Sequence, residues 1–290
     1  MKLFKKQIDF ISKRQIAWTI SLLLILSGIT SLTLNKGPKL SIDFTGGTVI
    51  QIQLNNSDTN QIRNKLINNN IIASEIITFG NINEFLIKIK HSDKANKELV
   101  NSIKASLGEN VEIRRIESVG PKIGKELTSD ALKAITIALL LIAIYIGFRF
   151  DRFYALGSIA AIVHDIIVIL GLFSILKIEI DLSIIAALLT IVGYSLNDTI
   201  VVFDRIRENV INNTKETFVT VVNSSINDTL NRTIVTSITT LLVVIILFIM
   251  GGEVIKNFSL ALILGVLVGT YSSIFVASPI MMHYENNNNN

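Results

Sequence analysis

The sequence predicts an α-helical polytopic membrane protein with six transmembrane helices and a small α+β ferredoxin-like domain outside the membrane. Half of the 290 residues are hydrophobic and only 17% are charged, a ratio typical of membrane proteins. Six apolar runs are long enough to cross a bilayer, which takes about 20 residues. One polar stretch, residues 35–128, interrupts them and carries both strand and helix patterns.

Composition also excludes several classes of site. The chain has no cysteine, which rules out disulfides and thiolate metal sites. Its net charge of +4 fits basic loops beside anionic lipid, and no dense basic and aromatic surface indicates nucleic-acid binding.

The first apolar run, residues 16–34, follows a basic segment, residues 1–15, and is predicted to be an uncleaved spanning helix. A cleaved signal peptide is the alternative. The run is longer than a typical signal core, and no small-x-small cleavage site follows it.

Residues 35–128 predict the order β-α-β-β-α-β, which is the ferredoxin-like arrangement. The expected strands are 49–54, 73–79, 84–90 and 111–119, and the expected helices are 59–69 and 93–107. Gly80 and Asn81 form a turn between the middle strands, Asp93 caps the second helix, and Gly108 follows its end.

Residues 129–284 predict the remaining bundle, with apolar runs at 131–148, 153–176, 184–203, 230–250 and 258–282. Most connections are short, so neighbouring helices are expected to be antiparallel. The connection 204–231 is longer, and a surface helix is expected over 215–227.

Short-loop charges predict that both termini face the cytoplasm, because one side of the membrane is far richer in Lys and Arg. The richer side holds Lys2, Lys5, Lys6, Lys13, Arg14, Arg149, Arg152, Arg205, Arg207 and Lys215. The other side holds Lys177 and Lys256. The 35–128 domain is then extracytoplasmic, and the low-complexity tail, 285–290, carries no predicted structure.

Asp198 stands in the fourth run, where hydrocarbon is expected, between Asn197 and Thr199. A carboxylate at the centre of a membrane helix is disfavoured by about 3 kcal/mol, and such residues usually mark ion or substrate pathways. Arg232, early in the fifth run, is the preferred partner. A static ion pair that only fixes helix packing is the alternative.

His164 and Asp165 stand near the middle of the third run and are expected to face the bundle interior. A histidine that only packs is as good an interpretation as one that handles protons. Burial favours the neutral form of Asp198 and a nearby Arg232 favours its charged form. A small separation of the two would invite protonation, which makes a two-state element.

Small residues recur every fourth position in the sixth run, and a small or polar face occurs in the fourth run; both patterns predict close helix packing. In the sixth run they are Ala261, Gly265, Gly269, Ser273 and Ala277. In the fourth run a small or polar face contains Ala186, Thr190, Gly193 and Asn197.

Three motifs carry a resemblance to a known family. The first is Asp43-Phe44-Thr45-Gly46-Gly47-Thr48, a turn into a strand that lacks the Lys-Ser/Thr of a phosphate loop. The second, Val119-Gly120-Pro121 with Gly124-Lys125-Glu126-Leu127, indicates a hinge or rigid connector. The third runs from Gly193-Tyr194-Ser195 through Asp198 to Asp204-Arg205-Ile206-Arg207-Glu208-Asn209. Its charged end is expected to be an interfacial turn, with a regulatory or partner role as the alternative.

Together these motifs resemble the SecD/SecF family of bacterial protein-export membrane proteins, over nearly the whole chain. The resemblance implies a SecF-type subunit that forms a twelve-helix bundle with SecD, related to RND transporters. It implies assistance to the SecYEG channel, with YajC as a further partner, in pulling preproteins across the cytoplasmic (inner) membrane. Its energy source would be the proton gradient, with no cofactor, metal or enzymatic activity. Asp198 and Arg232 match the family's membrane aspartate and arginine.

Two other functions are open. An RND-like exporter of small molecules or lipids needs twelve helices, so that the chain would have to dimerise. An intramembrane aspartyl protease would need Asp165 and Asp198 to share a proton, and Arg232 beside one of them would suppress that chemistry.

Overall fold

The computed structural model describes residues 7–80, 83–89, 96–108, 110–213 and 215–288. They form two compact units, one with the described residues up to Lys39 and from Ala134 onward, the other with Leu40–Lys133. The elements in chain order are α1 (Arg14–Leu34), α2 (Ile42–Thr45), β1 (Gly47–Gln53), α3 (Thr59–Asn68), β2 (Ala73–Thr78), β3 (Glu84–Ile89), α4 (Asn96–Leu107), β4 (Glu112–Val119), α5 (Pro121–Arg149), α6 (Arg152–Ile175), α7 (Leu182–Asn212), α8 (Phe218–Met250), α9 (Glu253–Ser272), a π-helical turn (Ser273–Ala277) and α10 (Ser278–Asn288).

The six spanning helices are confirmed. The described residues contain six helices long and apolar enough to cross a membrane: α1, α5, α6, α7, α8 and the composite helix Glu253–Glu285. Helix α6, helix α7 and the composite helix Glu253–Glu285 are the most buried of the six, whereas α5 is almost wholly exposed along its apolar part. The core of this unit therefore lies around α6, α7 and this composite helix.

The predicted ends of the fourth and fifth helices are wrong. Helix α7 continues to Asn212 through the charged segment that was expected to be an interfacial turn. The expected surface helix over 215–227 and the fifth span form one continuous helix, α8, of 33 residues. Thr217 caps its start by accepting from the Thr220 amide, and no Gly or Pro interrupts the helix after this cap.

The last span contains a π-helical turn, which the sequence pattern did not predict. The Ser278 hydroxyl donates to the Ser273 carbonyl oxygen inside it. Single π turns in α-helices are rare and occur often at functional sites. Helix α10 extends to Asn288, so the helix enters the tail for which no structure was predicted.

The small unit is a four-stranded antiparallel sheet in the order β2-β3-β1-β4. With its two longer helices in the sequence order β-α-β-β-α-β, this is the predicted ferredoxin-like arrangement. Alternate residues of β1, Ile50 and Ile52, are fully buried in its core. Asn81 of the predicted turn and the predicted cap Asp93 lie outside the described residues.

Candidate functional site

Asp198 lies inside the membrane unit, as the apolar context predicts. Its side chain is 3% exposed, and its Oδ2 atom is buried with no hydrogen-bond partner among the described residues. The groups that act on the carboxyl are the hydroxyl of Thr270 on α9 and the charge of Arg232 on α8. A buried, incompletely satisfied carboxyl group is costly, and such groups usually have a functional reason.

The direct Asp198–Arg232 ion pair is not formed within the part of the chain that the structure describes. Both residues lie at a similar depth in the bundle. Asp198 lies 14 residues before the end of α7, and Arg232 lies 14 residues after the start of α8. The next residue, Thr233, is buried toward the bundle, whereas the Arg232 side chain is exposed. Successive helical residues differ by about 100° in direction, so Arg232 points along the outside of α8. Its charge reaches Asp198 from a distance.

The two neighbours of Asp198 differ in exposure. Asn197 is exposed on the outer face of α7. Thr199 is buried, and its hydroxyl donates to the Ser195 carbonyl oxygen 3.1 Å away, within the same helix.

His164 and Asp165 are buried and bonded to each other. The His164 Nδ1 atom lies 2.9 Å from the Asp165 Oδ1 atom. The other carboxyl oxygen, Oδ2, accepts from the Ser195 hydroxyl of α7 at 2.6 Å and from the Ser272 hydroxyl of α9 at 2.8 Å. Asp165 therefore joins α6, α7 and α9. These contacts are with two serines and a histidine, and not with the Asp198 carboxyl that an aspartyl protease would need.

A second chain of contacts leaves His164 toward α1. The His164 Nε2 atom lies 3.0 Å from the Ser21 hydroxyl, which lies 3.0 Å from the Tyr271 hydroxyl. Tyr271 in turn donates to the Ala17 carbonyl oxygen at 2.6 Å. Sequence reasoning did not single out Ser21, Tyr271 or Ser272.

Hydroxyl groups also line the seam beside Asp198. The Ser237 hydroxyl of α8 lies 2.7 Å from the Thr270 hydroxyl, and Tyr194 donates to Ser237 at 3.4 Å. Thr229, Thr233 and Ser237 form a buried stripe at every fourth position of α8. This spacing was present in the sequence and could have indicated the inward face of α8.

The small residues of the sixth span bring α9 close to α7. A Cβ atom on Gly269 would lie 3.0 Å from the Ser195 Cβ atom, and one on Gly265 would overlap Ile191. Ser273 is fully buried in the π-helical turn. The close approach holds Ser195 where it reaches Asp165.

The Gly-Gly motif lies in the small unit. Ser41 caps the short helix α2, which contains Asp43, Phe44 and Thr45. Gly46 and Gly47 follow with φ of 72° and 137°, a backbone that favours glycine. In the following strand the Thr48 hydroxyl lies 2.9 Å from that of Ser118.

The second motif packs against the first. A Cβ atom on Gly124 would lie 3.0 Å from the Phe44 carbonyl oxygen, and one on Gly46 would lie 3.2 Å from the Pro121 Cα atom. Gly120 alone separates β4 from α5, and Pro121 is the first residue of that helix. The connector is therefore short.

The charged end of α7 forms ion pairs with neighbouring elements. Arg149 at the end of α5 donates to both Asp204 carboxyl oxygens at 2.9 Å. Arg205 binds Asp228 of α8 at 2.7 Å and Glu208 at 2.8 Å. Two further members of the motif bind there: the Arg207 guanidinium donates to the Arg149 carbonyl oxygen, and the Asn209 amide donates to the Ser225 hydroxyl.

Comparison with known proteins identifies the family. A model described as "Protein export membrane protein SecD/SecF, C-terminal" matches residues 99–287, and a model of the SecD/SecF GG motif matches residues 32–58. The protein translocase subunit SecF of Vibrio alginolyticus is 43% identical over 284 residues, 96% of this chain and 90% of the relative. The SecF subunit of Haemophilus influenzae is 42% identical over 275 residues, which cover 94% of this chain and 84% of that relative.

This chain belongs to the SecF family of protein translocase subunits. It is therefore a multi-pass membrane protein of the Sec protein-export system.

Two solved SecDF structures share the fold. SecDF from Thermus thermophilus has a TM-score of 0.89 at 38% identity, and the match covers 99% of this chain and 40% of that one. SecDF in its super-membrane-facing form has a TM-score of 0.74 at 37% identity, and the match covers 100% of this chain and 40% of that one. The SecF-family chain thus spans about two-fifths of the length of the SecDF chains.

Proposed function

We propose that this chain is the SecF-type half of an auxiliary complex that uses the proton gradient to help pull preproteins across the cytoplasmic membrane. The observation that carries the proposal is the Asp198 carboxyl group, buried with one oxygen unpartnered among the described residues of a translocase-family bundle. A carboxyl group held in this way gains or loses a proton when its surroundings change only slightly. No cofactor and no enzymatic step is needed, because the proton itself supplies the energy.

The free energy released by a proton crossing the membrane is comparable to that needed to invert a two-state population. A proton that crosses about 150 mV releases about 3.5 kcal/mol. Inverting a two-state population from 1:99 to 99:1 takes about 5.5 kcal/mol. One proton shifts such an equilibrium strongly, and two would invert it.

The proposed partner is a SecD-type subunit with six further helices. The small or polar face of α7, made of Ala186, Thr190, Gly193 and Asn197, is exposed in this chain. Arg232 is also exposed, in the middle of a spanning helix. A small-residue face favours a close neighbouring helix, and an arginine facing lipid is disfavoured. A second helix bundle that covers both and supplies an acidic group near Arg232 would relieve that cost.

The remaining parts of the proposal follow the charge pattern and the family. Both termini face the cytoplasm, and the ferredoxin-like unit is extracytoplasmic. There it is available to an emerging preprotein beside the SecYEG channel, with YajC as a further partner and lipid around α5.

Replacing the carboxyl group tests this function. Asp198→Asn keeps the shape of the side chain but cannot carry a proton, so we expect normal insertion with gradient-stimulated preprotein export reduced at least tenfold. Export is measured in membrane vesicles with and without an imposed proton gradient. The matched control is Asp130→Asn, because Asp130 is an exposed residue paired with Lys133. Stimulation of the Asp198→Asn variant to the wild-type level would contradict the proposal.

A further inference from the structure

The hydrogen bonds that join α1 to α9 and to α6 have a direction, which follows from counting the hydrogens that each group can donate. A carbonyl oxygen can only accept, so the Tyr271 hydroxyl donates its one hydrogen to the Ala17 carbonyl oxygen, 2.6 Å away. The Tyr271 oxygen can then only accept from Ser21, 3.0 Å away. Ser21 has now used its own hydrogen.

The same reasoning fixes the state of His164. Because Ser21 can only accept from the His164 Nε2 atom at 3.0 Å, that nitrogen carries a hydrogen. The Nδ1 atom faces the Asp165 Oδ1 atom at 2.9 Å, and a hydrogen bond there needs one more proton. It lies either on Nδ1, giving imidazolium and carboxylate, or on Asp165, giving two neutral groups. In both cases the pair has a net charge of zero.

We propose that His164 and Asp165 form a second proton-holding site, separate from Asp198. Its proton is retained by the series of hydrogen bonds that runs from the His164 Nε2 atom through Ser21 and Tyr271 to the Ala17 carbonyl oxygen. It deepens the proposed function, and rests on it, in that this proton would be a second one for the same gradient to move. The two sites meet on α7, where Ser195 donates to Asp165 and Asp198 lies three residues further along.

Loss of this proton would exchange the donor and the acceptor in the hydrogen bond between His164 and Ser21. With Nδ1–H donating to a charged Asp165, the Nε2 atom becomes an acceptor and Ser21 must turn its hydrogen toward it. Tyr271 then has one hydrogen for two acceptors, Ser21 and the Ala17 carbonyl. The contact between α1 and α9 is therefore linked to the protonation of a pair on α6.

The surroundings contain few other titratable groups. Helix α9 contributes Tyr271, and α7 contributes Asp198 one turn beyond Ser195. Helix α1 presents only Ser21, since its sole charged residue, Arg14, stands at its first position. The carboxyl oxygen Oδ2 of Asp165 is held by two hydroxyl groups and by no cation among the described residues. The proton between His164 and Asp165 is thus the local compensation for a buried carboxylate.

Nitrogen-15 magic-angle-spinning NMR tests the assignment. The chain has three histidines, so His91→Gln with His283→Gln leaves His164 as the only signal. In the full chain in lipid nanodiscs at neutral pH, we expect the Nε2 atom to carry a proton. An Nε2 atom with a free lone pair beside a protonated Nδ1 atom would overturn the proposal.

Two serine variants of α1 test the hydrogen bonds that run from His164 through Ser21 to Tyr271. Ser21→Ala removes the acceptor of the Nε2 proton, so we expect the fraction of His164 with a protonated Nε2 atom to fall at least twofold. Ser27→Ala is the control, because the Ser27 hydroxyl is exposed and bonds to the Leu24 carbonyl of its own helix. An unchanged spectrum in Ser21→Ala would refute the role of these hydrogen bonds in keeping the proton on the Nε2 atom. The spectrum involves no transport step, so it can fail while the export function of Asp198 stands, and the export assay can fail while the spectrum stands.

Discussion

Asp165 and Asp198 are both buried, yet their side chains have different surroundings. Asp165 accepts two serine hydroxyls and faces His164, so its position is fixed from three helices. Asp198 has an oxygen with no partner in the described chain. A satisfied polar cluster rigidifies a bundle, whereas a partly satisfied group responds to small movements. Asp165 therefore has fixed surroundings, whereas the surroundings of Asp198 can change with a small movement of the helices.

The hydrogen bond from Ser272 to Asp165 can be tested on its own. Ser272→Ala removes one donor to a buried acidic group, and we expect it to lower the free energy of unfolding by about 1.5 kcal/mol. The control is Ser259→Ala on the same helix, since the fully buried Ser259 hydroxyl bonds to the Ile255 carbonyl of its own turn. Thermal unfolding in detergent measures both, and equal losses would contradict the special role of Ser272.

The sequence predicts the buried acid but not its neighbourhood. Asp198 stands out because one carboxylate interrupts an apolar run. Ser195 and Ser272 do not, because serines are common in membrane helices and their value depends on which helices adjoin. The absence of a direct Asp198–Arg232 ion pair among the described residues has a similar reason: the depth of Arg232 can be counted along the sequence, but the direction of its side chain depends on how α8 is rotated.

At the scale of elements, the apolar runs predict the spans well and their ends poorly. A bilayer limits an apolar run, but not the helix that contains it. Helix α8 extends about 50 Å at 1.5 Å per residue, well beyond a hydrocarbon core of about 30 Å. Its polar first half is stabilised by contacts that no local pattern reveals: the Asn227 side chain accepts from the Ile8 amide and donates to the Ile8 carbonyl, both at 2.8 Å.

The crossing of α1 and α6 depends on two glycines. A Cβ atom on Gly28 would lie 2.7 Å from the Gly171 Cα atom, so Gly28→Ala must push the helices apart. We expect a loss of about 1–3 kcal/mol in unfolding free energy. Gly147→Ala on α5 is the control, because open space surrounds that position, and the added methyl should be neutral or slightly stabilising. If the two variants unfold alike, close packing at Gly28 is not important.

For the whole molecule, the exposed face of α7 is the feature that the isolated chain leaves unexplained. Gly193 lies on that face with open space where a Cβ atom would be. Gly193→Ile should therefore leave the fold of this chain intact but reduce co-purification with a SecD-type partner at least tenfold. Gly147→Ile is the matched control on exposed α5. Equal recovery of the partner with both variants would show that this face is not the contact.

The molecule places a buried carboxyl group, that of Asp198, inside the helix bundle of a SecF-family chain. Infrared difference spectroscopy on the chain with its partner in proteoliposomes tests the central claim most directly. We expect imposing and then collapsing a proton gradient to change a protonated-carboxyl band that is absent in Asp198→Asn. A spectrum without that change, identical in wild type and Asp198→Asn, would contradict the account.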